Sequence, residues 1–436
     1  MIINIFKNKD YKKINHLALP LILNNILSLI IELCDQGIMG RVSITSFAAV
    51  GLIETSINSI TGVLGSISVA FNILGARCKG KNDFERLNNN LILNLILSFC
   101  IGLIFFIMVL LGGISILKVS YGFTGANLKE SSNYLYIFSI SLGLNMILFT
   151  FSSYLKIIHK TKYIFYGNMV AALSNLLFDY VLVFGHAGFP RRMGMIGNAI
   201  GSILALVLNL IIYVVVIMKV KIGALRKANI FANFKDTIKI SIPLMVQEFL
   251  ESTLIVCVVN SILSHIGTLE VAVYNLLFVI INIALMPMYG YAQAALTIIS
   301  ESINNKRKEK LKISTKCIIL AEIFYILIAM VMIIFRYKIP CIITNNKELI
   351  TTSIKYILLV IISNLLYIPG TVFKYSLQAI GKEKWVFRIS IIINFIEVGI
   401  ILLFVWFFKW GLYGVYAGMM LGYITLTVIL FLKMKY

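Results

Sequence analysis

INHLALPLILNNILSLIIELCDQGI, residues 14–38, holds 25 residues with no Lys or Arg and reads as one apolar helix. About 20 such residues at 1.5 Å rise cross the hydrocarbon core of a bilayer. The run is not uniformly apolar. Asn24, Ser28, Glu32 and Asp35 recur at intervals of four, four and three, which stacks them along one face of a helix. An acid at mid-bilayer costs about 2.5–3.5 kcal/mol on insertion scales, so such a stripe faces protein or water and marks function. A basic N-terminus precedes the run as in a signal peptide, but no small-x-small cleavage site follows, so the sequence predicts an uncleaved first span.

Working outward, eleven further stretches have the same character, near 46–74, 88–115, 132–155, 162–184, 194–218, 237–263, 269–299, 312–335, 349–373, 384–408 and 411–432. The 436 residues are 60% hydrophobic and 13% charged, which excludes a soluble globular enzyme. The connections are too short for an ATPase, catalytic or nucleic-acid-binding domain. GARCKGKN at 75–82 approaches the phosphate-binding loop, but Asn82 replaces its Ser or Thr and no strand precedes it. The net charge of +21 sits in loops. The N-terminus and even-numbered connections carry 29 Lys and Arg against 10 on the other side, which predicts that both termini are cytoplasmic. Six scattered cysteines have no metal-ligand spacing and are expected to be reduced.

The run also has a counterpart. Pro20 corresponds to Pro243 in SIPLMVQEFLE (241–251), SITSFAAV (43–50) to GTLEVAVY (267–274), and Gly194, Gly197 and Gly201 to Gly411, Gly414 and Gly418. The order is preserved and the offset drifts slowly, as in an internal duplication. The fold class expected is an all-α polytopic membrane protein, with twelve transmembrane helices in two pseudo-symmetric six-helix lobes around a central cavity. The lobes are 1–218 and 237–436, joined by a cytoplasmic linker at 219–236.

The other acids within spans are Glu54, Asp179, Glu248, Glu251, Glu322 and Glu397. Basic residues are nearly absent there, with only Lys355 and Lys374 close to span ends, so the acids are expected to lack salt-bridge partners. Such carboxyls carry a proton, hold a cation with neighbouring oxygens, or sit in water. Asn175 and Asp179 share a helix face four residues apart, as do Gln247 and Glu251. No HExxH or GxSxG constellation is present, so an intramembrane enzyme is not expected.

LALPLILNNIL (17–27), DQGIMGR (35–41), FAAVGL (47–52), GARCKGKNDFER (75–86), NLLFD (175–179), GMIGNAIGS (194–202) and SIPLMVQEFLE (241–251) together resemble the multidrug and toxic compound extrusion (MATE) transporters, over residues 14–432. The resemblance implies a secondary transporter of the bacterial plasma membrane that exports organic cations by alternating access, in antiport against Na+ or H+. It implies a cation-coupling site of Asp35, Asn175, Asp179 and Ser202, the first three also serving if the ion is Na+. Glu32, Glu54, Gln247, Glu248 and Glu251 are the candidate substrate and cavity residues. Glu251 stands where another branch of the family uses a glutamate, but LLYIPGT (365–371) lacks that branch's span-10 aspartate. No cofactor beyond the coupling ion and no nucleic acid is implied; the partners are the small-molecule cation and membrane lipids, with a monomer expected. A flippase for a lipid-linked saccharide is the alternative; its anionic pyrophosphate calls for basic cavity residues where this chain offers acids.

Overall fold

A computed structural model describes residues 9–185, 193–219, 233–302, 304–344 and 346–436. Loop residues 186–192 and linker residues 220–232 lie outside the described residues, as does the side chain of Glu32. Among the described residues the chain is helical with no strand, and twelve helical segments are long and apolar enough to cross a membrane. In order they are Lys9–Gly40, Ile44–Gly80, Phe84–Ser120, the pair Gly125–Phe138 and Ile140–Ile157, Lys162–Phe184 and Met195–Met218, then Phe234–Ser264, Thr268–Glu301, Arg307–Ile334, Lys347–Ala379, Glu383–Phe407 and Gly411–Lys435. They are called spans 1 to 12. Spans 5, 6 and 11 match the predicted limits to within a residue, while most of the others overrun them because their ends continue into polar turns that hydropathy does not score. The first helix continues through Pro20.

Local chemistry sets several boundaries. Ser43 caps span 2 by accepting from the Ser46 amide at 3.0 Å, and Asp83 caps span 3 by accepting from the Arg86 amide at 3.0 Å. Asn346 does the same for span 10, accepting from the Glu348 and Leu349 amides at 3.0 and 3.2 Å. Gly185 ends span 5 in the left-handed region at φ 72°, where the absence of a Cβ removes the steric penalty.

The chain divides into two compact units: Leu23–Ser241, and Met1–Ile22 with Ile242–Tyr436. The first unit holds spans 2 to 6 and the C-terminal half of span 1. Spans 3 and 4 cross with backbones in contact at Gly102 and Gly143, where a side chain on either would collide with the other's main chain. In the second unit Tyr291 donates to Asn15 at 2.7 Å, and Lys316 pairs with Asp10. Span 3 turns apolar residues outward, with Leu111 85% exposed, as expected for a surface that meets lipid.

The duplication is visible in the packing of each unit. A methyl added at Gly197 of span 6 would lie 2.8 Å from the Leu182 carbonyl carbon of span 5. At Gly414 of span 12 it would lie 3.1 Å from the carbonyl carbon of Phe404 in span 11. The same small-residue contact therefore joins the last two helices of both halves. Spans 7 and 11 each contain one π-helical turn, Leu250–Leu254 and Leu403–Phe407.

Candidate functional sites within the two units

In the first unit, five helices bring polar side chains to one place. The Asn175 amide of span 5 is oriented by its partners: its nitrogen donates to both carboxylate oxygens of Asp35 on span 1, at 2.7 and 3.2 Å. Its other end lies 3.4 Å from Ser202 Oγ on span 6. One turn along span 5, Asp179 Oδ2 accepts from Asn198 Nδ2 at 2.9 Å, while Oδ1 is buried without a hydrogen-bond donor among the described residues. The Asp35 carboxyl lies near enough to Asp179 for the two to interact. Asp35, Asn175, Asp179 and Ser202 thus come together, and the four-residue spacing of Asn175 and Asp179 brings both to the first-span acid.

The cluster extends further than the sequence indicates. Tyr134 of span 4 is fully buried, and its Oη lies 2.8 Å from Glu54 Oε1 and 3.3 Å from Asn198 Oδ1. Glu54 is therefore joined to Asp179 through two neutral groups. Asn198 lies inside the quoted GMIGNAIGS, four residues before Ser202 and so on its face, but the glycines dominate a reading of that string. Tyr134 gives no local signal, being one of 21 tyrosines. Gly201 supplies the room: a methyl there would lie 2.5 Å from Asp179 Oδ1. Below this cluster, Asn24 accepts from Asn168, which accepts from Asn209. Asn24 of the span-1 stripe is thereby tied to spans 5 and 6.

Two carboxyls brought near each other repel when both are charged. A proton or a cation beside Asp35 and Asp179 would supply a balancing positive charge. Neutral amides and hydroxyls supply ligands without supplying that charge.

The second unit corrects one expectation. Glu251 has a salt-bridge partner: Lys374 Nζ lies 2.5 Å from its Oε2, with side-chain exposures of 12% and 23% for Lys374 and Glu251. Lys374 is close to the end of span 10 in sequence, but its long side chain carries the ammonium to the acid. Gln247, one helical turn before Glu251, donates to Glu251 Oε1 at 2.8 Å and to Ser390 Oγ at 3.2 Å, and accepts from Gln378 at 3.1 Å. Glu251 sits in the π-helical turn, which rotates it relative to the preceding helix. Glu248 is exposed, and Glu397 is buried against the glycine face of span 12 at Gly422. All six cysteines are free, Cys78 and Cys317 buried and Cys100, Cys257 and Cys341 exposed.

The family model MatE matches twice, at residues 20–181 and 243–405, so the two matches begin at Pro20 and Pro243. The chain is 23% identical to the probable multidrug resistance protein NorM of Thermotoga maritima over 98% of this chain and 93% of the relative. It is 21% identical to the multidrug export protein MepA of Staphylococcus aureus, over 95% and 91%. A solved structure of a multidrug resistance MATE family transporter in its outward-facing conformation superposes with a TM-score of 0.87 at 19% identity, covering 99% of this chain and 97% of that one. With both halves matched by one family model and the twelve-span fold in place, the chain belongs to the MATE family of membrane transporters, not to the enzymes.

Proposed function

We propose that this protein is a multidrug efflux transporter, exporting amphipathic organic cations in antiport against Na+ or H+ across the bacterial cytoplasmic membrane. The excess of Lys and Arg in the N-terminus and even-numbered connections supports cytoplasmic termini. The observation that carries the mechanism is the Asn175 bridge to Asp35, with Asp179 one helical turn further along the same face of span 5. When the pair holds its coupling ion the charge is balanced. When the ion leaves, two like charges face each other, and the helices carrying them separate or take another cation. Span 1 is one continuous helix, Lys9–Gly40, so a change at Asp35 is carried along it. The membrane potential supplies about 2.3 kcal/mol per 100 mV for each net charge moved inward, so a one-for-one exchange with a monovalent organic cation runs on the concentration gradient of the ion alone.

The names of the relatives support drug-like substrates, and the acids of the first unit suit cations. A lipid-linked pyrophosphate is less well served, since the Lys374 ammonium is already paired with Glu251. The test is efflux of a fluorescent organic cation from proteoliposomes under separately imposed sodium and proton gradients, for wild type and Asp35→Asn. Gradient-driven movement lost in the variant is expected, and the effective gradient names the ion. Movement under neither gradient, or an unaffected variant, overturns the reading.

A further inference from the structure

Lys374 is paired with one acid and has further polar groups around it. Besides the 2.5 Å contact with Glu251, its ammonium lies within electrostatic reach of Glu248 and of the hydroxyls of Tyr289, Tyr367 and Tyr375. It stands 5.9 Å from the centroid of the Tyr375 ring. Glu251 is in turn fixed by Gln247, itself held by Ser390 and Gln378, and Glu397 lies within its electrostatic reach. Carboxylates, an amide and aromatic rings form the surroundings that a small monovalent cation or an alkylammonium head selects. A lysine ammonium is a compact charge on a flexible four-carbon stem and can fill such a seat from within the chain.

We propose that Lys374 is a tethered cation occupying the cation seat of the second unit. With lysine at 374, Glu251 and its neighbours take up no free sodium or organic ammonium; residue 374 thus decides whether this unit contributes a second cation site. Glu251 is a seat for the protein's own charge. The inference stands on the Lys374–Glu251 geometry and does not depend on the role of Asp35 and Asp179.

The experiment uses the full chain in lipid nanodiscs with Asp35→Asn and Asp179→Asn, so that first-unit binding is silenced. Equilibrium binding of radiolabelled sodium, and separately of n-butylammonium, is measured in this background alone and with Lys374→Ala, Lys374→Gln or Lys374→Arg. The background and Lys374→Arg proteins should show no saturable binding. Lys374→Ala or Lys374→Gln should gain one site for at least one of the two cations, at least tenfold tighter than any binding in the background, and lose it again with Glu251→Gln. Saturable, Glu251-dependent binding while Lys374 is present overturns the proposal without any change at 374. It is equally overturned if the Lys374→Ala and Lys374→Gln proteins are monodisperse, melt cooperatively and bind neither cation.

Discussion

The Asn175 amide nitrogen lies 2.7 and 3.2 Å from the two carboxylate oxygens of Asp35, so span 5 grips the acid of span 1 through a neutral donor. A hydrogen bond to a charged group contributes about 1.5–3 kcal/mol, so Asn175→Ala should lower gradient-driven efflux roughly 10- to 100-fold. Initial rates at a fixed gradient measure it; a rate within twofold of wild type would leave the bridge without a role.

Tyr134 stacks on Phe138 with ring centroids 5.3 Å apart, so Tyr134→Phe keeps the ring and removes only the hydroxyl that reaches Glu54 and Asn198. Left with one donor fewer, buried Glu54 should cost about 1–3 kcal/mol, visible as a lower melting temperature together with slower efflux. An unchanged melting temperature would show that Glu54 does not rely on this bond.

Gly201 and Gly197 sit one helical turn apart, and their alanine variants should fail differently. At Gly201 the added methyl would lie 2.5 Å from Asp179 Oδ1, a side-chain atom that can move. The expected result is a folded protein with efflux reduced at least about tenfold, because misplacement by an ångström at a coupled site costs that much. At Gly197 the methyl would meet the Leu182 and Val183 main chain at 2.8–2.9 Å, which cannot give way without parting spans 5 and 6. Loss of thermal stability should therefore come first there, and the reverse pattern would contradict the assignment.

The spans and their repeat were legible in the sequence because hydrophobic length and the recurring prolines and glycines are one-dimensional signals. Asn175 and Asp179 were legible for the same reason: four residues on a helix is a geometric statement. What the sequence hid is three-dimensional. Nothing in the string joins Tyr134 to Glu54, 80 residues away, or brings the Lys374 ammonium to Glu251 across 123 residues. The expectation that the intramembrane acids were unpaired failed at Glu251, because a position near a span end does not limit where a lysine side chain reaches.

The pair itself carries a stability prediction. Removing one partner of a buried ion pair costs about 3–5 kcal/mol, whereas replacing both with neutral groups costs far less. Glu251→Gln should therefore lower the melting temperature more than Glu251→Gln combined with Lys374→Met. Additive losses in the double variant would mean that the two charges do not depend on each other.

The central claim is that Asp35 and Asp179 act as one coupling unit, and a double-mutant cycle on gradient-driven efflux tests it most directly. If the two carboxyls share a single ion, Asp35→Asn and Asp179→Asn should each abolish coupled transport to a common residual rate, and the double variant should fall no further. Losses that multiply, with each single variant retaining substantial coupled efflux, would contradict the account and make the two acids independent sites.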